Sequence, residues 1–254
     1  MIYHAVLFVC IMKNSMVSID FWNTLVCHRS NGVNRTQARI RGLRSIARIY
    51  DKNPNEEQIQ QARKAVSQAF DVEWLGNQRT LTTEELVRGM LVHLNIPAQE
   101  KHIEELTATF QESLYEGPPE PAPGIKKALE ELSRYYRIGL ISDTMFSPGT
   151  ILRKYLDQIG LLQYFDAFAF SDEMGVSKPH PKPYRYVLQS TGADPALSWH
   201  VGDIQQTDIV GAKSMGMGAV LYTGFNKNDQ KNSTADFVCE HWEAVADILV
   251  SERK

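Results

Sequence analysis

The stretch Pro118-Pro119-Glu120-Pro121-Ala122-Pro123-Gly124, in which four of seven residues are proline, divides this chain into two unlike parts. Such a cluster ends any helix or strand that reaches it. Before it, apolar periodicity predicts helices at residues 33–50, 56–76, 82–94 and 98–115, and no convincing strand occurs between residues 28 and 117. After it, predicted strands at residues 137–142, 167–170, 198–201 and 219–222 alternate with helical segments at 129–135, from 148, 182–189, 208–214 and 242–249.

This alternation predicts an α/β fold, with a doubly wound parallel sheet of Rossmann-like type and helices on both faces. A first strand at residues 17–19 precedes the helical part, so the helical part is an insertion into the α/β domain. We therefore expect a core domain of residues 16–27 and 118–254, an inserted all-helical domain of residues 28–117, and an N-terminal extension of residues 1–15.

Bulk properties narrow the class of protein. The chain has 254 residues and a formal net charge of −3 with no dominant basic tract, which argues against a nucleic-acid partner. The apolar run at residues 2–12 is too short to span a bilayer, and Lys13 follows it where a signal peptide would place its charge first. Cys10, Cys27 and Cys239 are widely spaced, as free thiols would be. We expect a cytoplasmic monomer or homodimer with a small-molecule substrate and no membrane partner.

Polar residues follow four of the strand-like runs. They are Asp20, the pair Ser142-Asp143, Lys178 before Pro179, and Asp203 with Asp208 behind it. In a parallel sheet such residues meet in a crevice at the carboxyl ends of the strands. A carboxylate can attack phosphorus, Mg²⁺ can lie between converging acids, and lysine and serine can bind phosphate oxygens. Each residue alone is more commonly a cap or a turn, and only the four together indicate phosphoryl transfer.

With these motifs the chain resembles the haloacid dehalogenase-like (HAD) hydrolase superfamily, in the form that carries a helical cap after the first strand (C1 type). The resemblance covers residues 16–250 and includes Gly175-Val176-Ser177-Lys178-Pro179 and Gly202-Asp203-Ile204-Gln205-Gln206-Thr207-Asp208. It implies that Asp20 is the nucleophile and that Ser142 and Lys178 bind the phosphoryl group. It also implies that Mg²⁺ is held by Asp20, the backbone carbonyl of Trp22 and Asp203, with Asp208 supporting the metal or Lys178. Thr24 and Asp143 are candidate substrate-binding residues of the same motifs.

The first motif departs from the family at Trp22. Most phosphatases of the family have a second aspartate there, which serves as general acid and base and contributes roughly 10²–10⁴ in rate. An indole ring cannot carry a proton at neutral pH. The substrate then has a leaving group that needs no proton, or another residue such as His28 substitutes, or the protein binds phosphate and hydrolyses slowly.

Three functions follow, in this order of preference. The first is an Mg²⁺-dependent phosphatase of a small phosphorylated metabolite, because Asp203 and Asp208 match the metal-binding type of motif. The second is a 2-haloacid dehalogenase, because dehalogenases of the superfamily have an aromatic residue at the position of Trp22 and halide leaves without a proton. The third is a weakly active or non-catalytic phosphate-binding regulatory protein.

Arginines dominate the segment that follows the first motif. No acidic residue occurs between Asp20 and Asp51, whereas six arginines do: Arg29, Arg35, Arg39, Arg41, Arg44 and Arg48. A solvated helix face accounts for most of them, and Arg29 and Arg35, nearest the first motif, are candidate contacts for an anionic substrate. Trp22 and Trp74 could stack on a substrate ring, although a tryptophan such as Trp74 is more commonly a core residue.

Overall fold

The structure is a computed structural model that describes residues 13–253. Its strands are β1 (Met16–Ile19), β2 (Val26–Cys27), β3 (Glu120–Pro121), β4 (Arg137–Ser142), β5 (Ala167–Phe170), β6 (Trp199–Gly202), β7 (Gly218–Tyr222) and β8 (Phe237–Cys239). Six of them form a parallel sheet in the order β5-β4-β1-β6-β7-β8, and β2 pairs with β3 in a short antiparallel ladder. The strand order reverses direction at β1, as it does in doubly wound Rossmann-like sheets, so the predicted fold class is confirmed.

The helices of the described residues are α1 (Gly32–Ile49), α2 (Glu56–Asp71), α3 (Thr83–His93), α4 (Glu100–Glu116), α5 (Ile125–Leu132), α6 (Gly149–Gln158), α7 (Ser171–Met174), α8 (Pro181–Thr191), α9 (Val210–Ser214) and α10 (Trp242–Ser251). A π-helical segment, Val72–Gly76, continues α2, and a second one, Gln205–Ile209, precedes α9. The first four helices lie between β2 and β3.

Both faces of the parallel sheet are covered. One face packs against α5, α6 and α10, which contribute Leu129, Leu152 and Trp242 to the core. The opposite face packs against α8 and α9, where Tyr184 and Ala212 are fully buried. All four residues of β1 are buried, because a central strand of a doubly covered sheet has no face toward water.

The helical block, defined as α1–α4 (residues 32–116), has an apolar core of its own that includes Leu43, Ile59, Val87 and Leu106. A capping box at Thr82 opens α3 as predicted: the Thr82 hydroxyl accepts from the backbone N–H of Glu85, whose carboxylate accepts from the N–H of Thr82. The block contains helices and no strand, in agreement with the sequence pattern for residues 28–117. The division into a core domain and a cap domain at the stated boundaries stays a prediction.

Some elements were missed or misplaced by the sequence pattern. Strand β8 adds a sixth member to the sheet, and β2 and β3 are two residues each. Helix α5 begins at Ile125 rather than at residue 129, because Gly124, at a φ of 79°, turns the chain sharply into the helix. The predicted helix at 208–214 begins as the π-helical segment described above.

The N-terminal extension lies mostly outside the described residues, and so does Cys10. Of residues 13–15, Ser15 is buried, and its carbonyl accepts a hydrogen bond of 3.0 Å from the N–H of Arg137. Cys27 and Cys239 are free thiols. None of the described helices combines the length and the apolar character that a bilayer crossing requires.

Candidate active site

The strand ends of β1 and β6, which are neighbours at the point where the strand order reverses, bring two predicted acids to one place. Asp20 directly follows β1 and Asp203 directly follows β6. The N–H of Asp20 donates to the carbonyl of Val201 at 2.9 Å, so the ladder between the two strands continues to the first acid. Ser142 and Asp143 stand at the end of β4, the other neighbour of β1.

A tight turn follows Asp20. Asn23 is left-handed, at a φ of 58°, and the N–H groups of Leu25 and Val26 both donate to the carbonyl of Phe21, at 3.1 and 3.0 Å. Trp22 is half-buried, and within the described residues its carbonyl accepts no hydrogen bond. The turn thus leaves one backbone acceptor beside Asp20 available to a ligand.

Lys178 is the buried cation of the site. Its Nζ donates to Oδ1 of Asp20 at 2.5 Å and to Oδ1 of Asp208 at 2.6 Å. Burial alone would lower the pKa of Lys178, but the negative charges of Asp20, Asp208 and Asp143 raise it well above its ordinary value. The ammonium group therefore stays charged and joins the residue at the end of β1 to the acid behind β6.

Asp208 is held by protein donors on both oxygens. Besides Lys178, the imidazole Nε2 of His200 lies 3.0 Å from Oδ1, and the N–H of Ile204 donates to Oδ2 at 3.0 Å. Burial opposes ionisation, yet the charge of Lys178 and the contact with His200 bring the pKa of Asp208 below its usual range. Asp208 is an ionised partner that fixes Lys178 in place.

No motif or spacing indicates the role of His200. It is fully buried in β6, with Nδ1 2.8 Å from the hydroxyl of Ser18 and Nε2 on Asp208. Burial lowers the pKa of His200, so the ring is neutral at neutral pH. Its position in the middle of an apolar strand, facing the same side as Ser18 of the adjacent strand, becomes visible only once the register is known.

The pKa values of Asp20 and Asp203 are shifted in the opposite direction to that of Asp208. Burial raises the pKa of Asp20 well above its ordinary value, and the negative charges of Asp208 and Asp203 add to this, while Lys178 opposes it. Burial also raises the pKa of Asp203 to about 7, with Asp208 contributing. Asn226, which was not predicted, donates to Oδ2 of Asp203 at 2.9 Å. Two buried acids without a cation between them resist ionisation.

Asp143 links the sheet to the helical block. Its Oδ1 accepts from the N–H of Lys178 at 3.0 Å, and its Oδ2 accepts from Nε1 of Trp74 at 2.8 Å. Trp74 lies in the π-helical segment after α2. The sequence suggested a core position or a stacking surface for this indole, whereas the structure shows that it donates a hydrogen bond to Asp143. The Ser142 hydroxyl donates to the carbonyl of Asp143 at 3.1 Å.

A cavity of about 510 Å³ lies between these strand ends and the helical block. We call the strand-end side its base and the helical side its roof. The base residues used below are Asp20, Trp22, Asp143, Phe146, Lys178, Asp203 and Asp208, and the roof residues are His28, Arg35, Arg39, Ile40, Arg63, Val66, Phe70, Trp74, Met90 and Phe110. The volume is within the range of small-molecule sites.

The structure does not bring every predicted residue to the cavity. Among the described residues, Thr24, Arg29 and Ser142 are not part of its lining. Thr24 is fully buried with its hydroxyl unpaired, and Arg29 is exposed. Ser142 is buried at the end of its strand, one residue from the lining.

Arg35 lines the cavity, but its guanidinium is engaged by the backbone. Nη1 donates to the carbonyls of Gly117 and Ser30, at 2.5 and 3.0 Å, and Nη2 donates to the carbonyl of His28. The predicted substrate contact is thus chiefly a clamp between the two chain segments that enter and leave the helical block. Its Cζ lies 5.9 Å from the centre of the Trp22 ring.

A divalent cation requires a suitable set of oxygen ligands among the acids of the site. In the described residues no group of three or more His, Cys, Asp or Glu side chains is arranged to hold a metal. Mg²⁺, however, commonly binds through one or two carboxylates and takes water and phosphate oxygens for the rest. Asp20 and Asp203, both buried with raised pKa values, and the unpaired Trp22 carbonyl fit that smaller donor set.

A family model described as "Haloacid dehalogenase-like hydrolase" matches residues 49–222, more than half of the chain. The chain belongs to the haloacid dehalogenase-like hydrolase family. Its relatives include a glyceraldehyde 3-phosphate phosphatase of Pyrococcus abyssi, 36% identical over 101 residues that make up 39% of this chain and 41% of the relative. Haloacid dehalogenase-like hydrolase domain-containing protein 3 of Mus musculus is 26% identical over 180 residues, 66% of this chain and 67% of the relative.

Solved structures of this hydrolase fold superpose over nearly the whole chain. A 2-haloacid dehalogenase from Pseudomonas syringae pv. Tomato DC3000 gives a TM-score of 0.71 at 22% identity, covering 93% of this chain and 98% of that structure. A putative HAD-hydrolase, YfnB, from Bacillus subtilis, bound to magnesium, gives 0.63 at 17% identity, covering 93% and 99%. These likenesses establish the fold.

Proposed function

We propose that this hydrolase is an Mg²⁺-dependent phosphatase that acts on a small phosphorylated metabolite through an aspartyl-phosphate at Asp20. The observation that carries the proposal is the position of Lys178, bonded to Asp20 and Asp208 at the base of a cavity that Asp203 also lines. A buried ammonium beside a carboxylate nucleophile supplies the positive charge that a transferring phosphoryl group requires.

The reaction runs in two displacements. An oxygen of ionised Asp20 attacks phosphorus, the bond to the leaving oxygen breaks with its electron pair on that oxygen, the leaving group departs as an anion that takes a proton from solvent, and Asp20 carries the phosphoryl group. Water then attacks phosphorus, the acyl phosphate bond breaks, and Asp20 returns as a carboxylate with release of inorganic phosphate. Lys178 binds a phosphoryl oxygen in both steps while Asp208 and Asp143 hold it in place.

Asp20, the carbonyl of Trp22 and Asp203 would hold the Mg²⁺ ion. When bound, the ion supplies positive charge that neutralises the phosphate oxygens and keeps Asp20 ionised. Asn226 donates to Oδ2 of Asp203 at 2.9 Å and so helps to fix this carboxylate. Asp208 would influence the phosphoryl group through Lys178 and not as a metal ligand, because both its oxygens accept hydrogen bonds from protein donors.

Trp22 stands where a second aspartate would transfer protons, which favours substrates with a good leaving group. His28 lines the cavity, and its ring lies edge-on to that of Trp22 at 5.4 Å. Partial desolvation of the His28 ring beside Trp22 and the charges of Arg35, Arg39 and Arg29 lower the pKa of His28, so it is neutral at neutral pH. A neutral imidazole can accept a proton from the attacking water but cannot protonate the leaving group.

The names of three relatives support phosphomonoesters as the substrate class. The alignments with the glyceraldehyde 3-phosphate phosphatases of Pyrococcus abyssi and Methanothermobacter thermautotrophicus span 41% and 44% of those proteins. A phosphoglycolate phosphatase of Aquifex aeolicus is 29% identical over 55% of this chain. The substrate of this chain follows from none of them alone.

Phosphate release from a panel of phosphomonoesters and acyl phosphates, with Mg²⁺ and with EDTA, tests the proposal. We expect release that requires Mg²⁺ and is abolished by Asp20→Asn, whereas Asp157→Asn, an exposed aspartate on α6, leaves it unchanged. Trp22→Asp should raise turnover of poor leaving groups by about 10-fold or more. The absence of phosphate release from every member of the panel would contradict the proposal.

A second candidate is a C–halogen hydrolase, which the aromatic Trp22 favours because halide departs without a proton. It predicts halide release from short 2-haloacids that is insensitive to EDTA and still abolished by Asp20→Asn. Binding of a phosphate analogue and Mg²⁺ without release of either product would instead identify a phosphate-binding regulatory protein.

A further inference from the structure

The roof of the cavity differs in composition from the base. It presents a band of apolar side chains: Ile40, Val66, Phe70, Met90 and Phe110, with Phe146 facing them from the base. A phosphoryl group and a metal would occupy the base alone. The band therefore faces the part of a substrate that does not react, and burial of apolar surface there favours an apolar body.

Arg39 interrupts this band with a charge. Its Nε donates to the hydroxyl of Ser113 at 2.8 Å, and its Cζ lies 4.3 Å from the centre of the Phe146 ring. Across residues 13–253 no carboxylate lies within salt-bridge distance of Arg39, and the hydrogen bonds found there leave both its Nη groups unused. Burial and the charges of Arg35 and Arg63 lower the pKa of Arg39 to about 9, so it is a cation held in an unfavourable place.

The charged side chains near Arg39 at the roof add positive charge and supply no anion. Arg63 also lines the roof, where, among the residues that the structure describes, its Nη1 donates only to the neutral side chain of Gln60 at 2.8 Å. The guanidinium of Arg35 donates to backbone carbonyls. The acids that line the cavity are all at the base. Arg39 is half-buried, and a guanidinium that is largely removed from water without an anion is destabilising unless a ligand supplies one.

We infer that the substrate carries, at the end remote from its phosphoryl group, a second anionic group that Arg39 binds, joined to the phosphoryl end by an apolar body. The inference rests on the proposed function, which places the phosphoryl group at Lys178. The second anion accepts from the Nη groups of Arg39 while the other face of the guanidinium stays on Phe146 and Nε stays on Ser113. The planar donor fork of arginine suits a carboxylate or a phosphate equally.

Two phosphate esters of matched shape test this: 4-carboxyphenyl phosphate and 4-methylphenyl phosphate. We expect the wild-type enzyme to prefer the carboxylate in kcat/KM by at least 10-fold after correction for leaving-group reactivity, measured as the uncatalysed hydrolysis of the two esters in solution. Arg39→Met should bring this preference to within about 2-fold of unity, and Arg39→Lys should retain part of it. Arg41→Met is the matched control, because Arg41 is on the same helix, exposed, and paired with Glu116.

A binding experiment separates this inference from the proposed function. Calorimetric titration with benzoate, which has no phosphoryl group, should give a Kd that rises about 10-fold or more in Arg39→Met and not in Arg41→Met. If no phosphate ester is turned over but benzoate binding depends on Arg39, the phosphatase proposal fails and the anion site stands. If both esters are turned over equally well and Arg39→Met leaves benzoate binding unchanged, in a variant with the thermal stability of the wild type, the anion site is refuted.

Discussion

The base and the roof of the cavity handle charge in opposite ways. At the base, Asp20, Lys178 and Asp208 form a closed set in which each charge faces an opposite one. At the roof, Arg39 has no carboxylate partner among the described residues. The base is organised before any substrate arrives, as a catalytic centre must be. The roof is incomplete without a ligand, which is the property expected of the surface that selects the substrate.

Among the substitutions considered, removal of the Lys178 ammonium group is expected to disrupt the base most strongly. Lys178→Met leaves Asp20 and Asp208 facing each other without a positive charge, so we expect the free energy of unfolding to fall by about 3–5 kcal/mol at pH 8. We expect phosphate release to fall by about 10³-fold. Urea unfolding and steady-state kinetics measure the two effects. Lys182→Met, which changes an exposed lysine on α8, is the control. Equal stability of the two variants would show that Lys178 does not offset the negative charges of Asp20 and Asp208.

The pKa of Asp203 provides a second test of the base, with a smaller expected effect than that of Lys178→Met. Its pKa of about 7 lies above the value of 3.8 for an ordinary aspartate, so between these pH values the folded state holds a proton that the unfolded state has lost. The contribution of Asp203 to the free energy of unfolding therefore falls as pH rises through this window.

In EDTA, Asp203→Asn should accordingly raise the free energy of unfolding by about 2 kcal/mol at pH 8 and leave it unchanged near pH 4. Urea unfolding at the two pH values checks this, with Asp157→Asn as an exposed comparison. Addition of Mg²⁺ should stabilise the wild type and not the Asp203→Asn variant. Equal stabilisation of both by Mg²⁺ would place the ion elsewhere.

The contact between roof and base gives the smallest expected effect. Trp74→Phe retains the aromatic ring and removes only the hydrogen bond from Nε1 to Asp143. We expect kcat/KM to fall by about 3–10-fold and the free energy of unfolding to fall by about 1 kcal/mol. Leu75→Ala alters an exposed neighbour in the same π-helical segment and serves as the control. Unchanged kinetics in Trp74→Phe would show that the two sides of the cavity act independently.

The sheet and the base were accessible from the sequence because their signals are local. The strand Arg137–Ser142 was predicted to the residue, since four apolar or small residues in a row, at 138–141, lead into the polar pair Ser142-Asp143. Asp20, Lys178 and Asp203 each follow directly on a strand-like run or a turn. Strand β8 was missed because three residues, one of them exposed, give too short a pattern to detect.

The roof was accessible only in part, because tertiary packing decides which arginine does what. Arg29 and Arg35 were chosen for their closeness in sequence to Asp20, yet Arg29 is exposed and Arg35 binds backbone carbonyls. Arg39 is held in the cavity wall because Ser113 and Phe146, 74 and 107 positions away, contact its guanidinium. His200 was inaccessible for the same reason, since its partner Ser18 lies on another strand.

Arg35 has a mechanical consequence. It binds the carbonyls of His28 and Ser30 on the incoming segment and that of Gly117 on the outgoing one, and β2 and β3 pair beside it. The two chain segments that connect the four helices to the sheet are thus held together along one edge of the helical block. Any opening of the cavity that keeps this attachment intact must be a swing about that edge, and it would separate Trp74 from Asp143 on the opposite side.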